Sequence, residues 1–163
     1  MNKPLVTFSP SKTYAEAVAR AAAEWGVDLE YFDIWGKRHS TSLDAQVEIL
    51  GSLGVRAATK EEADAAVEVR LRQEWDSLLP PVTVRTLGES PALSVTVPVQ
   101  LCEATLKMGY RWEDGSRTEE ELPVASLTTE AAAELGRGIF LRKAVPLPGT
   151  ARLGYHEVEA TLT

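Results

Sequence analysis

The sequence predicts an α+β fold, a short helical segment followed by a small antiparallel β-sandwich of immunoglobulin-like type. Three observations predict it. Composition changes at Pro80-Pro81: residues 14–79 are rich in Ala, Glu, Leu and Arg and contain no proline, whereas Pro91, Pro98, Pro123, Pro146 and Pro148 all lie beyond. Before that junction apolar residues recur at three- and four-residue spacing, the period of a helix with one buried face. After it they recur at every second residue, the period of a half-buried strand. A helical region over residues 1–80 and a sandwich over residues 81–163 are therefore expected.

The first helix starts at Thr13-Tyr14-Ala15-Glu16, where a Thr hydroxyl can accept from the backbone N–H three residues on and Glu16 can reach back. Tyr14, Val18, Ala22 and Trp25 share one face, and Gly26 supplies the left-handed stop. Residues 26–36 read as an aromatic connection with turn chemistry at Asp33 and Gly36, too short and mixed for a strand or helix. A second helix of about three turns follows Ser42 as N-cap and runs through Gln46, Val47, Ile49, Leu50 and Leu53 to Gly54. A third opens on Thr59-Lys60-Glu61-Glu62, places Ala63, Ala66, Val67, Leu71 and Trp75 on neighbouring rows, and ends before Pro80-Pro81. Strands are expected at Val82/Val84, Leu93/Val95/Val97, Leu106/Met108/Tyr110/Trp112 and Val158/Ala160/Leu162. Turns are expected at Gly88, Asp114-Gly115 and Pro148-Gly149. The run from Thr128 to Leu135, with three alanines and Gly136 after it, reads as one or two helical turns.

Charge narrows the function. With 17 Lys+Arg against 24 Asp+Glu the net charge is −7, and the sequence pI is near 4.9. A protein held by a phosphate backbone needs a basic face, so nucleic acid is excluded as a partner. The apolar stretches fall well short of the ~18 residues of a membrane span, and no secretory signal opens the chain, so a soluble, cytoplasmic protein without a membrane partner is expected. Cys102 is alone, which rules out an intrachain disulfide.

Catalytic chemistry is hard to assemble from these residues. The two imidazoles, His39 and His156, have no metal-ligand spacing to each other or to Cys102, and both read as solvated or hydrogen-bonded structural histidines. Cys102 follows Val97-Pro98-Val99-Gln100-Leu101 and reads as a small packed hydrophobe rather than a nucleophile. Gly136-Arg137-Gly138 is not a phosphate loop, because it holds two glycines and precedes a β-like run. Glu113-Asp114 and Glu119-Glu120-Glu121 are adjacent on turns and an edge, a solvated rim rather than opposed carboxylates. No catalytic residue, metal ligand or cofactor is expected. Tyr31, Phe32, Trp35, Tyr110, Trp112 and Tyr155 remain, and aromatic planes either stack on the apolar faces of a sugar or fill a core. Trp35, Tyr110 and Trp112 are the candidate glycan contacts.

The stretch Gly26-Val27-Asp28-Leu29-Glu30-Tyr31-Phe32-Asp33-Ile34-Trp35-Gly36-Lys37-Arg38-His39, followed by Ser42, Ile49-Leu50 and Leu53-Gly54, resembles the opening of bacterial 4-alpha-glucanotransferases, or amylomaltases. Leu43 stands where that family usually has proline. Leu79-Pro80-Pro81-Val82-Thr83-Val84 is similar to the family's approach to a β-sandwich, and Trp112-Glu113-Asp114-Gly115 to its strand and turn. Leu147-Pro148 and Leu153-Gly154-Tyr155-His156-Glu157-Val158 resemble the strand that closes the sandwich before the catalytic barrel. The resemblance covers roughly residues 12–163 and implies transfer of α-1,4-glucan segments by carboxylates of a (β/α)₈ barrel, which needs about 250 residues. This chain has no room for that barrel, no position in it matches the family's catalytic motifs, and it stops at Thr163 inside a strand-like pattern. The resemblance thus implies the non-catalytic N-terminal region of a longer enzyme, with the barrel of the same polypeptide as its partner and α-glucan as a further ligand. An independent glycan-binding module and a protein-interaction module are the alternatives.

Overall fold

The computed structural model describes residues 5–86, 92–136, 138–148 and 153–163. The elements are β1 (Leu5–Thr7), α1 (Tyr14–Glu24), β2 (Glu30–Phe32), β3 (Arg38–Ser40), α2 (Leu43–Ser52), α3 (Lys60–Asp76), β4 (Ala92–Pro98), β5 (Thr105–Arg111), β6 (Arg117–Pro123), β7 (Thr128–Leu135), β8 (Gly138–Pro146) and β9 (Glu157–Leu162). Two compact units emerge, one from Phe8 to Gln73 and one of Met1–Thr7 with Glu74–Thr163.

In the helical unit, local chemistry sets the ends of the helices. Thr13 accepts the Glu16 amide, Ser42 that of Ala45 and Thr59 that of Glu62, each through its side-chain oxygen at 3.2 Å. Glu16 and Glu62 reach back one residue beyond the cap, to the amides of Lys12 and Ala58. After α1, Gly26 takes φ +72° while Val27 N–H bonds Ala22 C=O and Gly26 N–H bonds Ala23 C=O. Gly54 ends α2 the same way, with Val55 N–H on Leu50 C=O. These paired bonds satisfy the carbonyls that a helix end leaves open. Ala17, Val18 and Ala21 of α1, Leu50 of α2, Val55, Ala57, and Ala63 and Val67 of α3 form the core. Beneath it Asp64 is buried, accepting from the Ser11 amide at 3.1 and 3.0 Å and from the Ser11 hydroxyl at 2.7 Å. Lys60 stands 3.2 Å from its other oxygen.

The second unit is the sandwich. One sheet has the order β1-β7-β8-β4 and the other β6-β5-β9, and all pairings are antiparallel except β1 with β7, which is parallel. Leu93, Val95 and Val97 of β4, Leu106, Met108 and Tyr110 of β5, and Val145 of β8 meet between the sheets with Trp112, Val124 and Leu127. Inward and outward residues alternate along β5 and β6, so Glu120 and Leu122 point toward the core side while Arg117, Glu119 and Glu121 face out. At the end of α3, Arg142 of β8 lies 4.2 Å over the Trp75 ring and bonds Glu74 at 2.8 Å.

Three expectations change. Thr128–Leu135 is strand β7, not a helical turn. Alanine's helix preference is a weak prior, and here Ala133 and Leu135 are buried while the backbone pairs with β8 on one side and β1 on the other. A bulge between Thr129 and Ala131 absorbs Glu130. Val82 and Val84 do not form a strand and are 77 % and 87 % exposed. Alternation sets which side chains share a face but supplies no ladder, and Pro80 and Pro81 have no amide with which to begin one. Residues 26–36, read as a connection, contain β2, which pairs with β3 in a hairpin. The turn at Asp114-Gly115 is present, with Gly115 at φ +83°. Gly88 and Gly149, and Arg137 of Gly136-Arg137-Gly138, lie outside the described residues.

Candidate functional site

The helical unit carries Tyr31, Phe32 and Trp35 on the hairpin. In register, Glu30 faces Ser40, Tyr31 faces His39 and Phe32 faces Arg38. Asp33 organises the tip: its Oδ1 accepts the amides of Trp35 and Lys37, both at 2.9 Å, and its own amide bonds Lys37 C=O at 3.0 Å. Gly36 closes the turn at φ +77°. His39 donates through Nε2 to Asp33 Oδ2 at 2.9 Å and stacks on Tyr31 at 5.2 Å between ring centres. The His39 hydrogen bond, followed by the Lys37 amide, holds the Asp33 carboxyl below the ordinary aspartate range. An ion pair joins Arg38 to Glu30 across the strands. The result is a fixed loop that carries Ile34 and Trp35 into solvent at 89 % and 83 % exposure.

Tyr110 and Trp112 belong to the other unit and are placed differently. Tyr110 is 2 % exposed and Trp112 8 %, their rings stacked 5.7 Å apart within the sandwich core. Tyr110 donates to Glu120 at 2.6 Å, and burial, reinforced by that carboxylate, raises its phenol well above the ordinary value. Trp112 donates to Thr118 at 2.9 Å. His156 meets the Trp112 ring edge-on at 5.0 Å and accepts the Glu113 amide on Nδ1 at 3.1 Å. In the Gly154-Tyr155-His156 motif, Gly154 adopts φ +132° and Tyr155 is exposed. Tyr110 and Trp112 are therefore packing residues, and of the three candidate glycan contacts Trp35 alone has an open ring face. Sequence offered a signal for Tyr110, which shares parity along β5 with the core residues Leu106 and Met108.

The outer face of the β6-β5-β9 sheet holds a shallow depression over Gly109, bordered by Arg111, Arg117, Glu119, Glu157 and Glu159. Arg111 pairs with Glu157 and, on the other side of Gly109 along β5, Lys107 pairs with Glu121 at 2.9 Å. This is an ion-paired strand surface rather than an assembled set of catalytic groups. No group of three His, Cys, Asp or Glu able to hold a metal occurs among the described residues. Nor is any helix among them long and apolar enough to cross a membrane. Sequence reasoning missed Ile34, whose signal was its place beside Trp35 at the middle of a turn.

Comparison with known proteins gives this geometry its setting. Residues 78–163 match the MalQ N-terminal beta sandwich domain family. The 4-alpha-glucanotransferases of Mycobacterium tuberculosis and Mycobacterium bovis are each 31% identical over 144 residues, which is 88% of this chain and 19% of theirs. The chain thus spans about a fifth of the length of the curated relatives it matches. The crystal structure of amylomaltase from Corynebacterium glutamicum shares the fold, with a TM-score of 0.69 and 21% identity over 90% of this chain and 21% of that one.

Proposed function

The chain belongs to the MalQ N-terminal beta sandwich domain family, and from that premise we propose that it is the non-catalytic N-terminal region of a 4-alpha-glucanotransferase acting on α-1,4-glucans. Its work is to pack against the catalytic barrel of the same polypeptide. One observation carries this reading: the likeness extends over 88% of this chain but only 19% of enzymes named for glucan transfer. The residues support the same role. Tyr110, Trp112 and His156 are committed to one another and to their neighbours, and Asp64 to Ser11 and Lys60, as structural groups are.

The test is disproportionation of maltotriose. The polypeptide encoded by the full reading frame is expected to release glucose and longer oligosaccharides, and the 163-residue chain to release none. Turnover by the chain alone overturns the proposal. A second reading, an independent α-glucan module, is favoured by the open face of Trp35. It requires saturable tryptophan fluorescence changes with maltoheptaose that Trp35→Ala removes, and a flat response up to millimolar sugar rejects it.

A further inference from the structure

Five large apolar side chains are exposed within seven residues: Leu29, Tyr31, Phe32, Ile34 and Trp35. Isolated exposed hydrophobics are ordinary, but a group this dense within one short segment calls for a surface to cover it. The hairpin beneath them has only three residues per strand, a size that is marginal without cover. Yet its tip is held by three hydrogen bonds to the Asp33 carboxylate and by the Arg38–Glu30 pair. A loop already fixed in one conformation loses little entropy when something closes over it. We propose that the hairpin docks, through Phe32, Ile34 and Trp35, into an apolar recess on the part of the longer polypeptide that lies outside this structure.

This inference rests on the functional reading above and names the surface that reading requires. The relatives' length selects the occupant, since the chain corresponds to 19% of them and the remaining protein is tethered to it covalently. Tethering gives the second surface a high effective concentration, so a patch of modest area is enough to hold it. A sugar is a poorer fit. Stacking on Trp35 would use one ring and leave Ile34, which is the more exposed, and Phe32 in water.

Amide exchange read by mass spectrometry tests the inference on the full-length polypeptide. Amides of residues 31–40 should exchange at least about ten-fold more slowly there than in the 163-residue chain. Ile34→Asp in the full-length protein should return them to the faster rate while the amides of α1, which report folding of the helical unit, stay unchanged. Equal exchange in the two proteins overturns the docking, as does protection that appears only when maltoheptaose is added, which would assign the hairpin to glucan. Protection in a full-length protein without glucan transfer sinks the functional reading and leaves the docking in place. Transfer with an unprotected hairpin does the reverse.

Discussion

Asp64 shows how one side chain can hold a small helical unit together. Burial alone would raise its carboxyl pKa, but the Ser11 hydroxyl, the Ser11 amide and Lys60 outweigh it and bring the value below the usual 3.8. The unfolded chain therefore binds a proton more readily than the folded one, and the stability Asp64 contributes is complete above the unfolded value and lost as pH falls through the folded one. Asp64→Ala leaves the Ser11 donors unpaired and is expected to cost about 2 kcal/mol at pH 7 in urea denaturation. The variant should also show a shallower loss of stability as pH falls through 3.8 and below, the side on which the downward shift of Asp64 places its contribution. Asp33, lowered in the same direction by His39, keeps its own share of that slope in the variant.

At the scale of elements, structure was legible where its cause is local. The starts at Thr13, Ser42 and Thr59 and the stops at Gly26 and Gly54 are decided within a few residues, and all can be read from the chain. The strand β7 cannot, because an Ala-rich run has no strong preference for a strand and becomes extended by pairing with β8, the next strand of the chain, and with β1, which is remote in sequence. The hairpin escapes for a different reason, since three residues per strand show no period. For the same reason the aromatic cluster at residues 31–35 was visible as composition, while its exposure depended on where the short strands placed it. Two glycines separate these causes experimentally. Gly26→Ala forces an L side chain into φ +72° and should destabilise the chain by about 1 kcal/mol. Gly109 has no such need: an added Cβ would meet only the Glu159 Cβ, at an ordinary 3.9 Å. Gly109→Ala should therefore be neutral or stabilise by up to about 0.5 kcal/mol, through a less disordered unfolded state. Thermal melts of the two variants check both signs.

For the whole molecule, the sandwich and the helical unit each have an apolar core of their own. Among the apolar side chains the chain exposes are Phe32, Ile34 and Trp35 of the hairpin, and its curated relatives extend over about five times its length. A domain that packs against a catalytic barrel should stabilise that barrel as any bound partner does. The most direct measurement is the melting temperature of the barrel transition in the full-length polypeptide, compared with that of the same polypeptide lacking residues 1–163. The account predicts a lower Tm after deletion, by about 2–4 °C for each kcal/mol of lost contact. An unchanged barrel Tm would contradict it, because a domain that packs on its partner cannot be removed without cost.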